Sequence, residues 1–317
     1  MDKTQFSQAL KNIFTNTLHI DQDLLTEVNT SRIYHYTSPQ GFLGIMRDNA
    51  CANLRFSKYN SLNDREESLD IVNHIKLYSK SIPEKDTTKD FIKFIENFEL
   101  GNKTYITSTK NSSTILRTEE CDTYLCCFSQ KDDLLPMWNY YSKSKHYEGY
   151  SIGFSSKYFK SESCWGKGYS IELQKVIYSK KEKNDILSCL FKPLEKIYHQ
   201  LDNEQRNQVK DILQSYINKF QFLFKNPCFS HEEEVRAILK IPKNFIYEDT
   251  MLKKDFCESH GYIVPYIEFK DLNHAVKSVR IAPLYEKELA VANLQEFFNE
   301  RKYKNIDIKT SSIPIRF

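Results

Sequence analysis

The chain has 317 residues, enough for one large domain or two small ones, and its 40% hydrophobic and 14% aromatic content is typical of a globular protein. Its 45 basic and 42 acidic residues leave a net charge of only +3, so no overall positive field favours binding to nucleic acid. With only 8 glycines and neither a GxGxxG nor a GxxxxGK[ST] pattern, the sequence argues against the usual Gly-rich nucleotide loops.

Neither a membrane span nor a secretion signal is predicted. No run of about 18 apolar residues is present, and the first residues, MDKTQFSQALKNIF, are polar and amphipathic rather than a signal peptide. We therefore expect a cytoplasmic protein with no membrane partner. The eight cysteines form no CxxC motif and no Cys/His group with zinc spacing, so we expect them to be reduced and structural, and we expect no metal.

The first half of the chain alternates strands with helices. Apolar residues at helical spacing predict an N-terminal helical segment over residues 1–30. A strand follows at RIYHYTS, then a short helix beginning near Pro39, a strand at ANLRFSKYNSLND, and two amphipathic helices at DREESLDIVNHIKLYSK and EKDTTKDFIKFIENFE. Residues 101–120 are polar and poor in apolar side chains, so we expect an exposed loop there.

A second group of strands occupies the rest of the chain. It begins with the apolar TYLCCFSQ, followed by a short helix at DDLLPMWNYYSK and strands at GYSIGFS and IELQKVIYS. Residues 182–225 are predicted to form two helices that are broken near LDNEQRN. The last predicted strands are SHEEEVRAILK, GYIVPYIEF, AVKSVRIAP and IDIKTSSIPIRF, with a helix at EKELAVANLQEFFNERK before the final one.

This order lacks the regular strand–helix period of a doubly wound fold. It predicts an α+β fold, with a mixed, mostly antiparallel sheet and inserted helices. No linker rich in Gly, Pro or Ser divides the chain, and no internal repeat is present. We expect an N-terminal helical segment over residues 1–30 and a single α+β domain over residues 31–317, with a helical insertion at about 182–225.

The stretch SHEEEVRAILK, residues 230–240, concentrates negative charge where a strand is predicted to begin. If the strand includes all three glutamates, Glu232 and Glu234 lie on one face, where two carboxylates repel each other. Repulsion would raise the pKa of one of them, which suits acid–base chemistry. The alternative is a structural role, as a solvated acidic turn or as an ion pair between Glu234 and Arg236 on the same face.

Other polar candidates lie earlier in the chain. His35 lies in YHYTS, on the strand face opposite the tyrosines that flank it, including Tyr36, and on the same face as Thr37. His35 and Thr37 offer hydrogen bonds to a ribose or an amide, although a single histidine in a strand is commonly structural. In FSKYNSLND, Ser57 or Tyr59 offers a hydroxyl at the end of a strand.

This order of a histidine, a hydroxyl and a late Glu-x-Glu resembles the ADP-ribosyltransferases. In that superfamily a first-strand residue holds the nicotinamide ribose, a middle hydroxyl or aromatic flanks the nicotinamide, and the late glutamate stabilises an oxocarbenium-like transition state. The resemblance implies an ADP-ribosyltransferase-like fold, with NAD as the substrate and no metal. Breaking the N-glycosidic bond of NAD develops positive charge on the ribose, which a neighbouring carboxylate stabilises.

The resemblance implies catalytic roles for Glu234, Glu232 and His35. The groups expected to bind the nicotinamide and its ribose are His35, Tyr36, Thr37, Ser57 and Tyr59. The sequence departs from the superfamily because no Ser-Thr-Ser follows an aromatic residue in a middle strand. The choice of the second element therefore stays open among Ser57, Tyr59 and Ser129.

A second resemblance covers nearly the whole chain. The motifs that carry it are IYHYTSPQGFLGIM, LRFSKYNSLNDREE, CCFSQKDDLLPMWNYYS, GYSIGF, FKNPCFSHEEEVRAI, VKSVRIAP and SSIPIRF. In this order they are similar to domain-of-unknown-function family 2971, over about residues 32–317. Members of that family are bacterial and often accompany mobile or phage-defence genes, but the family implies no established activity.

These patterns favour an NAD-dependent ADP-ribosyltransferase. We expect a bacterial phage-defence or toxin–antitoxin effector that modifies RNA, DNA or protein, with an antitoxin or other neutralising partner. The alternatives are a non-catalytic recognition or assembly protein of a defence system, and a metal-free nuclease or phosphotransferase that uses His35 and Arg236. In the transferase, His35, Tyr59 and Glu234 line one cleft, and Glu234→Gln abolishes transfer while leaving the melting temperature nearly unchanged.

Overall fold

The structure is a computed structural model. Of the N-terminal helical segment predicted over residues 1–30, residues 4–8 are helical, and most of the rest lies outside the described residues. The described residues are 2, 4–8, 10, 28, 30–61, 69–100, 103–110, 113–141, 148–159, 168–248, 251–259, 261–283 and 286–314.

The described residues form strands and helices in an irregular order along the chain. The helices are α1 Pro39–Ile45, α2 Asp70–Ser81, α3 Lys89–Glu96, α4 Leu135–Tyr141, α5 Lys180–Glu195, α6 Asn203–Phe220 and α7 Lys287–Glu300. The strands are β1 Arg32–Thr37, β2 Cys51–Lys58, β3 Lys103–Lys110, β4 Ser113–Ser129, β5 Tyr150–Ser155, β6 Ser170–Lys175, β7 Glu234–Pro242, β8 Leu252–Ser259, β9 Tyr262–Asn273, β10 Val276–Ile281 and β11 Asp307–Thr310. None of the helices among the described residues is long and apolar enough to cross a membrane.

The chain divides into two compact units, each assembled from three segments. The first unit comprises residues 1–27, 62–121 and 175–229, and the second comprises residues 28–61, 122–174 and 230–317. The predicted single domain with a helical insertion at about 182–225 stays a prediction.

The second unit is built on the sheet. Its strands follow the order β11-β10-β5-β1-β4-β2-β9-β8, and β7 pairs with both β4 and β6. The neighbours β1–β5, β5–β10, β2–β9 and β8–β9 are antiparallel, whereas β10 and β11 are parallel. The fold is therefore mixed α+β with a largely antiparallel open sheet and several helices, which confirms the predicted fold class at that level.

The apolar core of this unit follows from strand alternation. In β7, Val235, Ala237, Leu239 and Ile241 are buried in the main core cluster, while the residues between them lie on the opposite face. Helix α1 packs Phe42 and Ile45 into the same cluster. Its start follows the pattern expected from SPQG, because the Ser38 hydroxyl accepts a hydrogen bond from Gly41 N–H at 3.2 Å and Pro39 occupies the first turn.

The first unit contains the predicted pair of helices and the predicted break. Helix α5 ends at Glu195, and α6 begins at Asn203. Asp202 caps α6 by accepting from Gln205 N–H at 2.9 Å, and the Gln205 side chain accepts from Asp202 N–H in return. The residues around this boundary were therefore sufficient to predict where the second helix begins.

The predicted exposed loop over residues 101–120 is wrong. Residues 103–110 form β3, which pairs with the first part of β4 in register from Lys103 opposite Glu120 to Lys110 opposite Ser113. The segment is polar, but KTYITSTK and STILRT are rich in threonine, isoleucine and tyrosine. These β-branched and aromatic residues favour extended backbone, and a polar composition does not oppose it.

Candidate active site

His35 lies in β1 and its imidazole is fixed by a backbone carbonyl. The Nδ1 atom lies 3.0 Å from Cys127 O in β4, and the ring packs edge-on against Phe128. A carbonyl oxygen can only accept, so Nδ1 carries the proton and Nε2 holds the lone pair. Burial lowers the pKa of His35, and the hydrogen bond to Cys127 opposes this only in part, so the ring is neutral at neutral pH.

Tyr36 lies on the other face of β1, as the alternation predicted, and its hydroxyl is fully engaged. It donates to Lys131 O at 3.0 Å and accepts from Leu134 N–H at 3.0 Å. The ring packs edge-on against Trp138 with the centroids 4.7 Å apart. Burial raises the pKa of Tyr36 well above its ordinary value, so the hydroxyl stays protonated. Tyr36 therefore fastens the segment between β4 and α4 to β1.

Thr37, Ser57 and Tyr59 lie at the ends of their strands. Thr37 is the last residue of β1, and its Oγ1 lies so close to Gly41 that a Cβ added there would be 2.0 Å away. Ser57 lies opposite Leu125 of β4 on one side and Tyr266 of β9 on the other. Tyr59 opens a short 3₁₀ turn, Tyr59–Ser61, directly after β2. Ser57 is thus in register with the same strand, β4, that holds His35.

The three glutamates do not form a continuous strand entrance. Glu232 ends a 3₁₀ helix, Pro227–Glu232, Glu233 has a positive φ of 45°, and only Glu234 belongs to β7. The left-handed conformation at Glu233 interrupts the alternation of side chains, so the prediction that Glu232 and Glu234 share a strand face is wrong. Both side chains are nevertheless buried, with 5% exposure each.

Hydrogen bonds to two backbone carbonyls of this turn connect it to the end of β4. The Ser129 hydroxyl donates to Glu232 O at 2.8 Å, and Gln130 N–H donates to Glu233 O at 3.0 Å. Ser129 also accepts from Lys131 N–H at 3.2 Å, so its hydroxyl is used by the backbone on both sides. The final residues of β4 thus fix both His35 and the glutamate turn.

Glu234 forms a two-point ion pair with Arg236. Arg236 Nε donates to Glu234 Oε1 at 2.8 Å, and Arg236 Nη2 donates to Glu234 Oε2 at 3.0 Å. The Arg236 side chain has 0% exposure and that of Glu234 has 5%. The pair lies on the face of β7 opposite Val235 and Ala237, which pack into the core. His35 packs against Phe128 of that same core cluster, so alternation places His35 and Glu234 on opposite faces of their strands. Such a planar two-point pair fixes the carboxylate in orientation.

His231 adds an imidazole to the same turn. The Tyr140 hydroxyl in α4 lies 3.2 Å from His231 Nε2, and the two ring centroids are 5.8 Å apart. Tyr140 is exposed. This contact holds the end of α4 beside the residue that precedes the glutamates.

Asp133 is a polar anchor that the sequence analysis missed. Its carboxylate accepts from Trp138 Nε1 at 2.9 Å, from Ser311 Oγ at 2.7 Å, and from the N–H and hydroxyl of Ser312 at 2.8 and 3.1 Å. Burial by itself would raise the pKa of Asp133, but these hydrogen bonds outweigh it and lower the pKa.

Arg280 extends this anchor to β10, and it too was missed. Its Nη2 donates to Asp132 Oδ2 at 2.8 Å, and its Nη1 donates to Thr310 O at 2.7 Å. The sequence signal that could have predicted this anchor is the set of motifs DDLLPMW, SVRIAP and SSIPIRF, because their polar residues contact each other in the structure. No local period in the sequence links Arg280 with Asp132, which lies 148 residues earlier in the chain.

No cluster suited to a metal was found in the part of the chain that the structure describes. There, no group of three or more His, Cys, Asp or Glu side chains is placed to hold a metal ion.

Residues 137–237 match the model of a family described as Protein of unknown function (DUF2971). The match confirms the resemblance to that family and extends from α4 to the first residues of β7, so it includes Glu232, Glu234 and Arg236. No curated protein and no solved structure matches the chain. The matched segment has the glutamate turn at its C-terminal end, whereas His35 lies outside the matched residues.

Proposed function

We propose that the protein is an NAD-dependent ADP-ribosyltransferase. The observation that carries the proposal is the double attachment of β4. Cys127 O fixes the imidazole of His35, and two residues further on Ser129 and then Gln130 fix the turn that carries Glu232 and Glu234. A transferase of this kind needs a ribose-binding group and a carboxylate held on neighbouring rigid strands.

His35 is suited to hold the nicotinamide ribose of NAD. With its proton on Nδ1 and pointing to Cys127 O, the neutral ring offers an acceptor at Nε2. A ribose hydroxyl donates to that lone pair. Thr37, Ser57 and Tyr59 supply hydroxyls at the ends of β1 and β2, and the Tyr59 ring flanks the nicotinamide. Tyr36 acts indirectly, by holding the segment that follows β4.

Glu234 stabilises the positive charge that develops on the ribose. The bond between the ribose C1′ and the nicotinamide nitrogen breaks, its electron pair leaves with nicotinamide, and the acceptor nucleophile then bonds to C1′. Arg236 donates one hydrogen bond to each Glu234 oxygen and so fixes the orientation of the carboxylate. Glu232 takes the proton that the nucleophile loses.

The acceptor is a macromolecule, which could be RNA, DNA or protein. We propose that the protein acts as a bacterial effector of phage defence or of a toxin–antitoxin pair. An enzyme that modifies its host's macromolecules requires a neutralising partner, and we propose an antitoxin in that role. NAD is consumed as a substrate, and no metal is required.

One observation favours a second candidate, a non-catalytic recognition or assembly protein of a defence system. Both carboxylate oxygens of Glu234 are bound by Arg236, and the pair is almost fully buried. A purely structural ion pair would have the same geometry. In that case the ion pair in β7 has only a structural role, and the protein does not react with NAD.

The experiment is an assay of nicotinamide release and of ADP-ribose transfer from labelled NAD, with RNA, DNA and protein extract as acceptors. Two variants at His35 form a matched pair. His35→Asn keeps a donor where Nδ1 lies but removes the acceptor at Nε2, so we expect activity to fall by about a hundredfold or more. His35→Gln places an amide near the Nε2 position and should retain more activity.

The glutamates provide a second matched set. Glu232→Gln should reduce transfer to the acceptor more than it reduces hydrolysis of NAD, because its proposed task concerns the nucleophile. Glu233→Gln is the control, since Glu233 lies between the two with its backbone bound to Gln130. Wild-type protein that releases no nicotinamide with any acceptor, or His35→Asn that works at the wild-type rate, would contradict the proposal.

A further inference from the structure

Strand β8 forms one end of the strand order and has an open edge. It pairs with β9 along its whole length, and no other strand among the described residues pairs with it. Lys270 N–H donates to Met251 O at 2.7 Å, which fixes the hydrogen-bonding phase of this antiparallel pair. Odd-numbered residues of β8 therefore direct their backbone groups toward β9. Even-numbered residues direct theirs outward, to the open edge.

The apolar face of this hairpin continues beyond the core. Leu252 is buried in the main core cluster, whereas Phe256, four residues further along the same face, is 59% exposed. Ile263 of β9 lies opposite Glu258, so it shares that face, and it is 73% exposed. An exposed aromatic side chain beside an open edge is the arrangement that pairs with another strand.

We propose that this edge pairs with a second copy of the same chain. The two β8 strands run antiparallel about a two-fold axis at Phe256. The hydrogen-bonding phase requires an even-numbered residue opposite an even-numbered residue, and the axis at Phe256 meets that requirement. The Phe256 rings of the two copies then lie directly opposite each other on the exposed apolar face.

The charge pattern of the strand, LKKDFCES, selects this register. With the axis at Phe256, Lys254 of each copy lies opposite Glu258 of the other, so the dimer contains this ion pair twice. Glu258 is held at the end of the hairpin because its Oε1 accepts from Gly261 N–H at 2.7 Å. Moving the axis by one residue in either direction separates Lys254 from Glu258.

In the single chain, a local contact covers part of the edge. Asp255 Oδ1 accepts from Phe256 N–H at 2.9 Å, and Asp255 Oδ2 lies 3.1 Å from Lys253 Nζ. Pairing exchanges the first contact for a hydrogen bond between the copies. A contact made by one strand and two rings is smaller than the interface of about 1,600 Å² that is usual for stable complexes. The dimer is therefore reversible and depends on concentration.

The test is sedimentation equilibrium of the full chain over a range of concentrations, with charge reversals in β8. We expect a monomer–dimer equilibrium for the wild type, and a dissociation constant about tenfold higher for Lys254→Glu, because two attractive pairs become repulsive. The double variant Lys254→Glu with Glu258→Lys should return to near the wild-type value. Lys304→Glu has the same net charge as Lys254→Glu and changes an exposed lysine three residues before β11, so it should leave the dimer unchanged.

Two results would overturn the inference. The first is a wild-type chain that stays monomeric at all concentrations, which would leave the edge to another protein's strand or to none. The second is a double variant as weak as Lys254→Glu alone, which would exclude this register. A melting temperature for Lys254→Glu equal to the wild-type value shows that its folding is intact, since Lys254 is exposed.

Discussion

The two-point pair between Glu234 and Arg236 predicts a large loss of stability for Glu234→Gln. The substitution removes the negative charge of a two-point pair whose arginine has 0% exposure, so it breaks a buried ion pair from one side. Breaking a buried pair from one side costs about 3–5 kcal/mol. Gln keeps one oxygen that can accept from Arg236, so we expect the lower end, about 3 kcal/mol.

The assay is thermal unfolding of the wild type, Glu234→Gln and Glu233→Gln at pH 7. For a domain of 150–250 residues, 1 kcal/mol lowers the melting temperature by about 2–4 °C, so Glu234→Gln should melt about 6–12 °C lower. The structure thus replaces the expectation from sequence that this variant would melt like the wild type. Glu233→Gln should stay within about 2 °C, because Glu233 is only half-buried and glutamine keeps the shape of its side chain. Equal melting temperatures for the wild type and Glu234→Gln would refute the buried fork.

Three further predictions concern the residues around the site. Gly41→Ala should lose about 1–3 kcal/mol of stability because its Cβ would lie 2.0 Å from Thr37 Oγ1, whereas Gly44→Ala, with open space around it, should gain about 0.5–1 kcal/mol by urea unfolding. If Gly41→Ala were as stable as Gly44→Ala, the close contact between residue 41 and Thr37 would be contradicted. Asp133→Asn should be less stable than the wild type at neutral pH. Because folding lowers the pKa of Asp133, this difference should shrink as the pH falls below the ordinary value of 3.8, and a difference that persists unchanged at pH 2 would disprove the lowered pKa. Tyr36→Phe loses two hydrogen bonds and should cost about 2 kcal/mol in the same unfolding assay, and a cost near zero would contradict them.

The sequence was sufficient to predict those features of the structure that depend on residues close together in the chain. Strand alternation separated Tyr36 from His35, and the capping residues at Asp202 and Gln205 marked the start of α6. The i, i+2 spacing of Glu234 and Arg236 indicated an ion pair as one of two alternatives, and the structure contains that pair. These features depend on neighbours within a few residues.

The sequence did not predict features of the structure that depend on a single backbone angle or on a contact with a distant segment. The positive φ of Glu233 changes which way Glu232 points, and no residue type in EEE announces it, because Glu rarely adopts that conformation. The strand β8 was missed because an edge strand with both faces largely exposed needs no apolar alternation. The contacts of Asp133 with Ser311 and of Arg280 with Asp132 form only through the fold, because these residues lie far apart along the chain.

The most direct test of the proposed function is nicotinamide release from NAD by the wild type beside His35→Asn and His35→Gln, each first shown to melt like the wild type. We predict release by the wild type, a loss of about a hundredfold or more in His35→Asn, and a smaller loss in His35→Gln. The reason is that Gln can place an acceptor near the Nε2 position, whereas Asn can replace only the donor at Nδ1. Equal release by all three proteins, or no release by the wild type, would contradict the proposal that His35 holds the ribose of NAD.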